Sequence, residues 1–231
     1  MKVTFLDQYE RSFDERDVLK SIKMPEDHVF GETIAELLEK TDQIARPKGF
    51  FMECEVEQIT EGTVTVGGQI FQSAILAKKL KDQKVVYPYL STCGKELAEY
   101  AKTITDSLEQ FAFDAVMEFY YRQIDSKVGG AVHDLLPEEK VVSCSNPGSL
   151  IGWHIREQKK LFSLFGENAE KIGVELNDSY LMFPVKSVAG IRFESDSEIH
   201  DCELCRKSNC RSRKAPFSMK AYLAAKEADE M

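Results

Sequence analysis

Residues 50–73 read FFMECEVEQITEGTVTVGGQIFQS, and their pattern decides the fold class. The runs 50–56, 63–66 and 69–71 are rich in the aromatic and β-branched residues that favour strands. A pair of glycines separates the last two runs, and such a pair is typical of a tight hairpin turn. The stretch therefore predicts a strand followed by a β-hairpin, which places neighbouring strands antiparallel.

Helical patterns lie on both sides of this stretch. Residues 14–45 carry apolar side chains at helical spacing and predict two helices. Residues 84–92 (KVVYPYLST) predict another strand, and residues 96–126 predict a long helix that Gly129-Gly130 is expected to interrupt.

Shorter elements complete the pattern. We expect strands at 140–145, 179–183 and 187–194, and helices at 157–165, 167–174 and 218–226. The mixed order of helices and strands favours an α+β fold with a largely antiparallel sheet. We divide the chain into one α+β domain over 1–200 and a cysteine-rich loop with a short helix over 201–231.

Composition narrows the class of partner. The chain has 231 residues, of which 43% are hydrophobic and 30% charged, and this suits an ordinary globular protein. Its 30 Lys and Arg against 39 Asp and Glu give a formal net charge of −9, which disfavours nucleic acid or an anionic membrane as the main partner. No apolar run approaches the roughly 20 residues of a membrane span and no export signal is visible, so we expect a cytoplasmic protein.

Three of the six cysteines crowd into nine residues, in the pattern Cys202-x2-Cys205-x4-Cys210. Thiolates at this spacing can converge on one soft ion, so the pattern predicts a zinc or iron-sulfur site. The basic residues between them favour the thiolate form, which leaves a reactive thiol site as a second interpretation. Three free thiols in a surface tail are a third.

The cluster supplies only three cysteines, so the fourth ligand of such a site has to come from elsewhere in the chain. The candidates are Cys144, His200, Cys93 and Cys54. Cys144 is preferred because it lies beside a glycine loop that we expect to be exposed. Cys54 and Cys93 lie in apolar runs, and a cysteine in such a run is more typical of a small buried core residue.

The glycine loop is Asn146-Pro147-Gly148, between the strand predicted at 140–145 and a helix. A turn with Pro and Gly lets backbone amides approach a ligand closely. The alternative interpretation is an ordinary connection with Trp153 folded into the core.

The same loop begins a series of motifs that resembles a known family. Residues 146–153 (NPGSLIGW), 157–164 (EQKKLFSL), 176–184 (LNDSYLMFP) and 187–190 (SVAG) resemble the activation domain of cobalamin-dependent methionine synthase. The free-standing members of that family in anaerobic bacteria are more similar still, because they share a cysteine-rich ending like that of 202–213.

The resemblance covers most of residues 15–215 and implies a bent antiparallel sheet flanked by helices. It also implies a role in reductive reactivation, in which an electron donor reduces an inactive cobalamin and S-adenosylmethionine supplies the trapping methyl group. In a free-standing protein the corrinoid belongs to a separate methyltransferase chain, which is then the expected partner.

The ligand residues that the resemblance implies are Asn146, Pro147 and Gly148, with Ser187 and Gly190 on a later strand. The family's arginine three residues before the Pro-Gly is Cys144 here, and its aromatic residue after the Pro-Gly is Ser149. Its later aromatic pair falls at Ile199 and His200. These departures concern residues that serve S-adenosylmethionine in the family. Cys144 in the arginine's place has two interpretations: the loop supplies a thiolate to the cysteine cluster, or the cysteine only packs against its neighbours.

Two functional hypotheses follow. The first is an accessory protein for reactivation of a cobalamin-dependent methyltransferase, with S-adenosylmethionine as its ligand and an electron donor as a further partner. The second is a zinc or iron-sulfur protein for electron transfer or scaffolding that keeps only the fold. His28, His133 and His154 have no Ser, Cys or carboxylate at motif spacing, so a self-contained nucleophilic mechanism has no support.

Overall fold

The computed structural model describes residues 1–197, 199, 201–210 and 213–230, the last three by their backbone alone. Its strands are β1 (Lys2–Leu6), β2 (Lys48–Ile59), β3 (Thr63–Val66), β4 (Gln69–Gln72), β5 (Val85–Thr92), β6 (Val141–Ser145), β7 (Glu175–Leu176), β8 (Met182–Phe183) and β9 (Ser187–Ser195). Its α-helices are α1 (Glu15–Ser21), α2 (Phe30–Ile44), α3 (Ala74–Leu80), α4 (Lys95–Ala101), α5 (Ser107–His133), α6 (Gln158–Phe165), α7 (Glu167–Lys171) and α8 (Met219–Glu230).

An antiparallel sheet in the order β4-β3-β2-β5-β9-β6 forms the centre of the molecule. β1 adds to the first half of β2, and β3 pairs with its second half. The register shifts between Val56 and Gln58, where the partner changes, and a bulge of this kind bends a strand. The predicted α+β class with a largely antiparallel sheet is confirmed.

The two faces of the sheet carry different helices, because successive strand residues point to opposite faces. Phe51 and Tyr89 pack against α5, in a cluster with Val128. Phe50 and Leu90, their chain neighbours, belong to the larger cluster that α3 and α6 cover. A further cluster joins α1, α2 and the first half of α5.

The long helix differs from its prediction at both ends. The chain folds into two helices, because Asp106 caps a new one by accepting the N–H groups of Leu108 and Glu109 at 3.0 and 2.9 Å. The expected interruption at Gly129-Gly130 is wrong, since α5 continues to His133.

The reason for a glycine at 129 is space. A Cβ there would lie 2.8 Å from Nη1 of Arg192 on β9, so the missing side chain lets this arginine lie against the helix. The strand predicted at 179–183 is also shorter than expected, because only Met182–Phe183 pair as a strand.

Leu204 and Ala225 from the C-terminal part of the chain pack against the larger core cluster. The domain division at residue 200 stays a prediction. Within the described residues, no helix is long and apolar enough to span a membrane.

Candidate functional site

The ligand loop, residues 146–153, closes on itself at the end of β6. The N–H of Gly148 donates to Trp153 O at 2.7 Å, and the N–H groups of Ser149 and Leu150 both donate to Asn146 O at 3.1 Å. Gly148 has φ of 81°, a conformation that glycine adopts without strain. The loop is therefore a fixed turn, with Gly148 and Ser149 exposed at its tip.

The side chain of Asn146 clamps this turn to the sheet. Its Nδ2 donates to Tyr89 Oη at 2.9 Å and to Ala189 O at 2.8 Å. The next residue of β9 has to be small, because a Cβ on Gly190 would lie 2.4 Å from Asn146 Nδ2 and 2.4 Å from Ser145 O. The structure thus brings together Asn146 and Gly190, which the resemblance had assigned to one site.

The turn at 147–148 leaves carbonyl oxygens without hydrogen-bond partners among the described residues. Its amides at 148, 149 and 150 are all used inside the turn, so the expected approach of amides to a ligand is not available there. Within the described part of the chain, no hydrogen bond reaches the carbonyl groups of Pro147 and Gly148. These acceptors suit a ligand that carries amino groups or a positive charge.

Ser187 lies apart from the loop. It begins β9, three residues before Gly190, which corresponds to roughly 10 Å along a strand and to the opposite face of the sheet. Its Oγ lies 2.8 Å from Thr92 Oγ1 and 2.7 Å from Pro184 O. The structure gives Ser187 a role in joining β9 to β5.

A buried arginine lies beside the clamp. Arg192 is 7% exposed, and its guanidinium lies 4.1 Å from the centre of the Tyr89 ring. Its Nη2 donates to Asp125 Oδ1 at 2.6 Å and to Asp125 O at 3.0 Å. Burial lowers the pKa of Arg192, but the Asp125 carboxylate more than offsets this and the net pKa is raised.

Arg192 pairs directly with Cys144 across β6 and β9. The position where the family has an arginine is therefore a cysteine, and a guanidinium stands opposite it on the next strand. The sequence analysis missed Arg192, although a charged residue within the apolar run 187–193 was a signal for it.

Cys144 lies against α5 at the edge of the same cluster. Burial raises the pKa of its thiol, and the nearby Arg192 opposes the rise only in part. At neutral pH the group is therefore a thiol rather than a thiolate. Asp201 and Lys214, from the part of the chain that carries the other cysteines, also act on its charge.

The cysteine segment, residues 201–215, is folded around one guanidinium. Arg213 donates to the carbonyl oxygens of Cys202 at 2.8 Å, Cys205 at 3.0 Å and Ala215 at 3.3 Å. The backbone N–H of Lys214 donates to Cys202 Sγ at 3.4 Å. Cys202, Cys205 and Cys210 are free thiols and half-buried.

Among the residues that the structure describes, no three Cys, His, Asp or Glu side chains are placed to hold a metal ion. His200, one candidate for the fourth ligand, lies outside them, as do Arg211 and Ser212 within the segment. The ligand set Cys202, Cys205, Cys210 and Cys144 stays a prediction, and we derive no chemical step through a metal.

The two remaining cysteines lie in the core. Cys54 and Cys93 are 1% and 0% exposed, and burial raises the pKa of their thiols to about 11 and about 12. Their interpretation as buried core residues is confirmed.

An ion pair connects the cysteine segment to the ligand loop. Asp201, the first residue of the segment, pairs with Lys79 of α3, and both side chains are 12% exposed. Lys79 Nζ also lies 3.1 Å from the Oγ of Ser145, the residue before Asn146. The start of the segment is thereby fixed to the strand end that carries the loop.

Comparison with known proteins places the fold. No protein-family model matches the chain, and no curated protein matches it. Among solved structures, the crystal structure of the MetH reactivation domain bound to AdoHcy is similar, with a TM-score of 0.65 and 13% sequence identity. The match covers 87% of this chain and 81% of that one. At this identity the similarity shows a shared fold.

Proposed function

We propose that this chain binds a ligand of the S-adenosylmethionine class at the ligand loop and serves as an accessory protein in reductive reactivation of a cobalamin-dependent methyltransferase. The observation that carries the proposal is the Asn146 clamp, which Tyr89 and Ala189 hold through hydrogen bonds and for which Gly190 leaves room. Among the described residues, the carbonyl oxygens of the turn at 147–148 have no hydrogen-bond partner.

The chemistry of the turn suits this ligand class. S-adenosylmethionine carries a sulfonium, an ammonium and an exocyclic amine, all of which are attracted by carbonyl oxygens. The chain's net charge of −9 favours the approach of a cation. The solved neighbour with the same fold binds AdoHcy, which lacks the transferable methyl group of S-adenosylmethionine.

The corrinoid belongs to the partner in this proposal. That partner is a separate methyltransferase chain, and an external donor supplies the electron. The residues of this chain hold the methyl donor at the loop and keep its orientation through the clamp. Since Cys144 is a neutral thiol beside Arg192, it takes no part as a nucleophile at neutral pH.

A binding experiment tests the ligand. Calorimetric titration with S-adenosylhomocysteine is expected to show one site in the wild type. Gly190→Ala is expected to weaken binding at least about tenfold, because its Cβ displaces Asn146 and so the turn. Gly130→Ala is the matched control, since a Cβ at 130 meets nothing within 4 Å. No binding by the wild type at millimolar ligand, or equal binding by both variants, contradicts the proposal.

A second experiment tests the reactivation role. A corrinoid methyltransferase that lacks its own reactivation domain is oxidised to the cob(II) state and given a reductant, S-adenosylmethionine and this chain. The expected result is the visible spectrum of the methylated corrinoid, formed faster with the wild type than with Gly190→Ala. If the chain binds S-adenosylhomocysteine but does not speed up this reaction, the proposed ligand stands and the proposed role in reactivation is wrong.

The cysteine segment supports a second candidate, a zinc or iron-sulfur site for electron transfer or scaffolding. The favouring observation is the tight turn at Cys202, in which the N–H of Cys205 donates to Cys202 O and the N–H of Lys214 donates to Cys202 Sγ. Metal analysis after purification without oxygen is expected to find one site per chain. Cys202→Ser/Cys205→Ser is expected to lose it, and a wild type free of iron and zinc contradicts this candidate.

A further inference from the structure

A groove of about 1550 Å³ lies on the far side of the ligand loop. Three parts of the chain line it: the turn at 59–62, helix α3 with the residues before it, and residues 148–157. Its volume exceeds the roughly 300–1,000 Å³ that is typical of small-molecule sites. The groove includes four residues of the ligand loop, among them Gly148, but none of Asn146, Tyr89 and Gly190. It therefore adjoins the clamp without containing it.

The rim of the groove is positively charged, although the chain as a whole is acidic. Lys78, Lys81 and Arg156 line it and are exposed. Within the described residues, the side chains of Lys78 and Arg156 have no ion-pair partner, and Lys81 has only the exposed Asp82 at 3.7 Å.

The acidic residues do not balance this charge. The carboxylate of Glu157 is buried and accepts from the N–H of Gln72 and from Lys160 Nζ, both at 2.9 Å. Glu61 is the remaining carboxylate among the described lining residues. Since Lys81 is paired with Asp82, two unpaired cations among the described residues, Lys78 and Arg156, face one free anion. Against a net charge of −9, this is a local field that attracts negative ligands.

The floor of the groove adds an apolar surface and a donor without an acceptor. Ile59, Ala74 and Ile155, which are half-buried, supply the apolar surface. Trp153 also lines the groove and is 0% exposed, and its indole Nε1 is buried with no hydrogen-bond partner. A buried donor without an acceptor is costly, and a ligand oxygen at the floor would satisfy it.

We propose that this groove binds an amphipathic anion, a small molecule with an apolar body and a phosphate or carboxylate head. Lys78 and Arg156 attract the head, and the apolar floor covers the body. The site is separate from the one that holds the adenosyl ligand.

Tryptophan fluorescence can be used to detect binding in the groove, because Trp153 is the single tryptophan of the chain. Its fluorescence is followed during titration with hexyl phosphate, hexanoate and 1-hexanol, which share one apolar body and differ in the head. Both anions are expected to give a saturable change in the millimolar range or below, and 1-hexanol to bind at least about tenfold more weakly. The tighter of the two anions identifies the head as phosphate or carboxylate.

Variants test the rim. Lys78→Ala/Arg156→Ala is expected to weaken hexyl phosphate binding at least about tenfold, and added salt to weaken wild-type binding. Arg16→Ala/Lys20→Ala is the matched control, because it removes the same two charges from exposed positions on α1. An unchanged affinity in the rim variant overturns the proposal. The proposal is also overturned if 1-hexanol binds as tightly as the two anions. It is overturned as well if neither anion produces a fluorescence change or a heat of binding.

The two ligands also test each other. Saturating S-adenosylhomocysteine is expected to leave the affinity for hexyl phosphate unchanged, and Lys78→Ala/Arg156→Ala is expected to keep S-adenosylhomocysteine binding. Competition between the two ligands, or loss of both in the rim variant, would show one shared site and overturn the groove as a separate one. Failure of the adenosyl ligand alone leaves the result for the groove intact.

Discussion

The ligand loop and the cysteine segment are both short segments without regular secondary structure over most of their length, but different contacts hold them in place. The loop is fixed by the strands beneath it: Asn146 bonds to Tyr89 and Ala189, and Gly190 leaves room for it. The cysteine segment is fixed by one side chain, Arg213, which gathers its carbonyl oxygens.

The conformation of the ligand loop depends on the central sheet, whereas the conformation of the cysteine segment depends mainly on contacts within the segment. The loop cannot move without disturbing the register of β5, β9 and β6, because its clamp spans all three strands. The segment is anchored near its start by the ion pair of Asp201 with Lys79 and by Leu204, which packs against the core, and Arg213 organises the residues that follow. A preorganised loop suits binding of a small ligand, and a self-contained segment suits a site that forms around what it binds.

The largest contrast is expected in thiol reactivity. At pH 8 Cys54, with a pKa of about 11, is about 0.1% thiolate, and Cys93 is lower still. We expect Cys202, Cys205 and Cys210 to be alkylated at least about a hundredfold faster than these two in chelator-treated native protein. Mass spectrometry of the peptides measures it.

Urea-unfolded protein is the control for this labelling, because all six cysteines should react alike there. The rates at Cys54 and Cys93 should rise about tenfold for each pH unit until their pKa is reached. Labelling of Cys54 as fast as that of Cys205 in native protein would break the contrast between core and segment.

Asp125→Ala should give the largest change in stability. It leaves the guanidinium of Arg192 buried without its carboxylate, and we expect a loss of about 3 kcal/mol in the free energy of unfolding. Urea denaturation measures this loss. Asp178→Ala, at an exposed turn, is the control and should change stability by less than about 0.5 kcal/mol.

The double variant Asp125→Ala/Arg192→Met sharpens the test. It removes the unpaired charge as well, so it should be more stable than Asp125→Ala alone. If the double variant is the less stable of the two, the cost does not come from a buried unpaired arginine, and the account of this cluster is wrong.

Arg213→Ala should have the smallest and most local effect. The N–H groups of Leu204 and Cys205, which donate to Asp201 O and Cys202 O, should exchange with solvent about fivefold faster, equivalent to about 1 kcal/mol. Hydrogen exchange measures this. The ligand-loop amides of Gly148 and Leu150 should not change, and Lys207→Ala, at an exposed position, should leave both regions unchanged. Faster exchange in both regions would show that the two turns are coupled.

Much of the fold was visible in the sequence because it follows from local patterns. The strand and hairpin of 50–73 are β2, β3 and β4, and the strand predicted at 84–92 is β5. The expectation for Gly129-Gly130 failed because helix propensity concerns a single helix. Gly129 leaves space for the side chain of Arg192, which lies 63 positions further along the chain, on another element.

The candidate site was visible only in part. The motif at 146–148 and Gly190 were singled out together, and the structure brings them into contact. Tyr89, Asp125 and Arg192 were missed because nothing in their own neighbourhood marks them. Their meaning depends on the register of three strands and one helix, which no short stretch of sequence specifies.

The sequence by itself determined the α+β class, the buried state of Cys54 and Cys93, and the grouping of Cys202, Cys205 and Cys210, because each follows from spacing and hydrophobic pattern. The tertiary structure alone decided that Arg192 stands opposite Cys144, that the N–H groups of residues 148–150 are used inside the turn, and that an acidic protein has a groove lined by Lys78, Lys81 and Arg156. The physical reason is that side-chain partners and local fields depend on distances through space, which the order of residues along a chain does not contain.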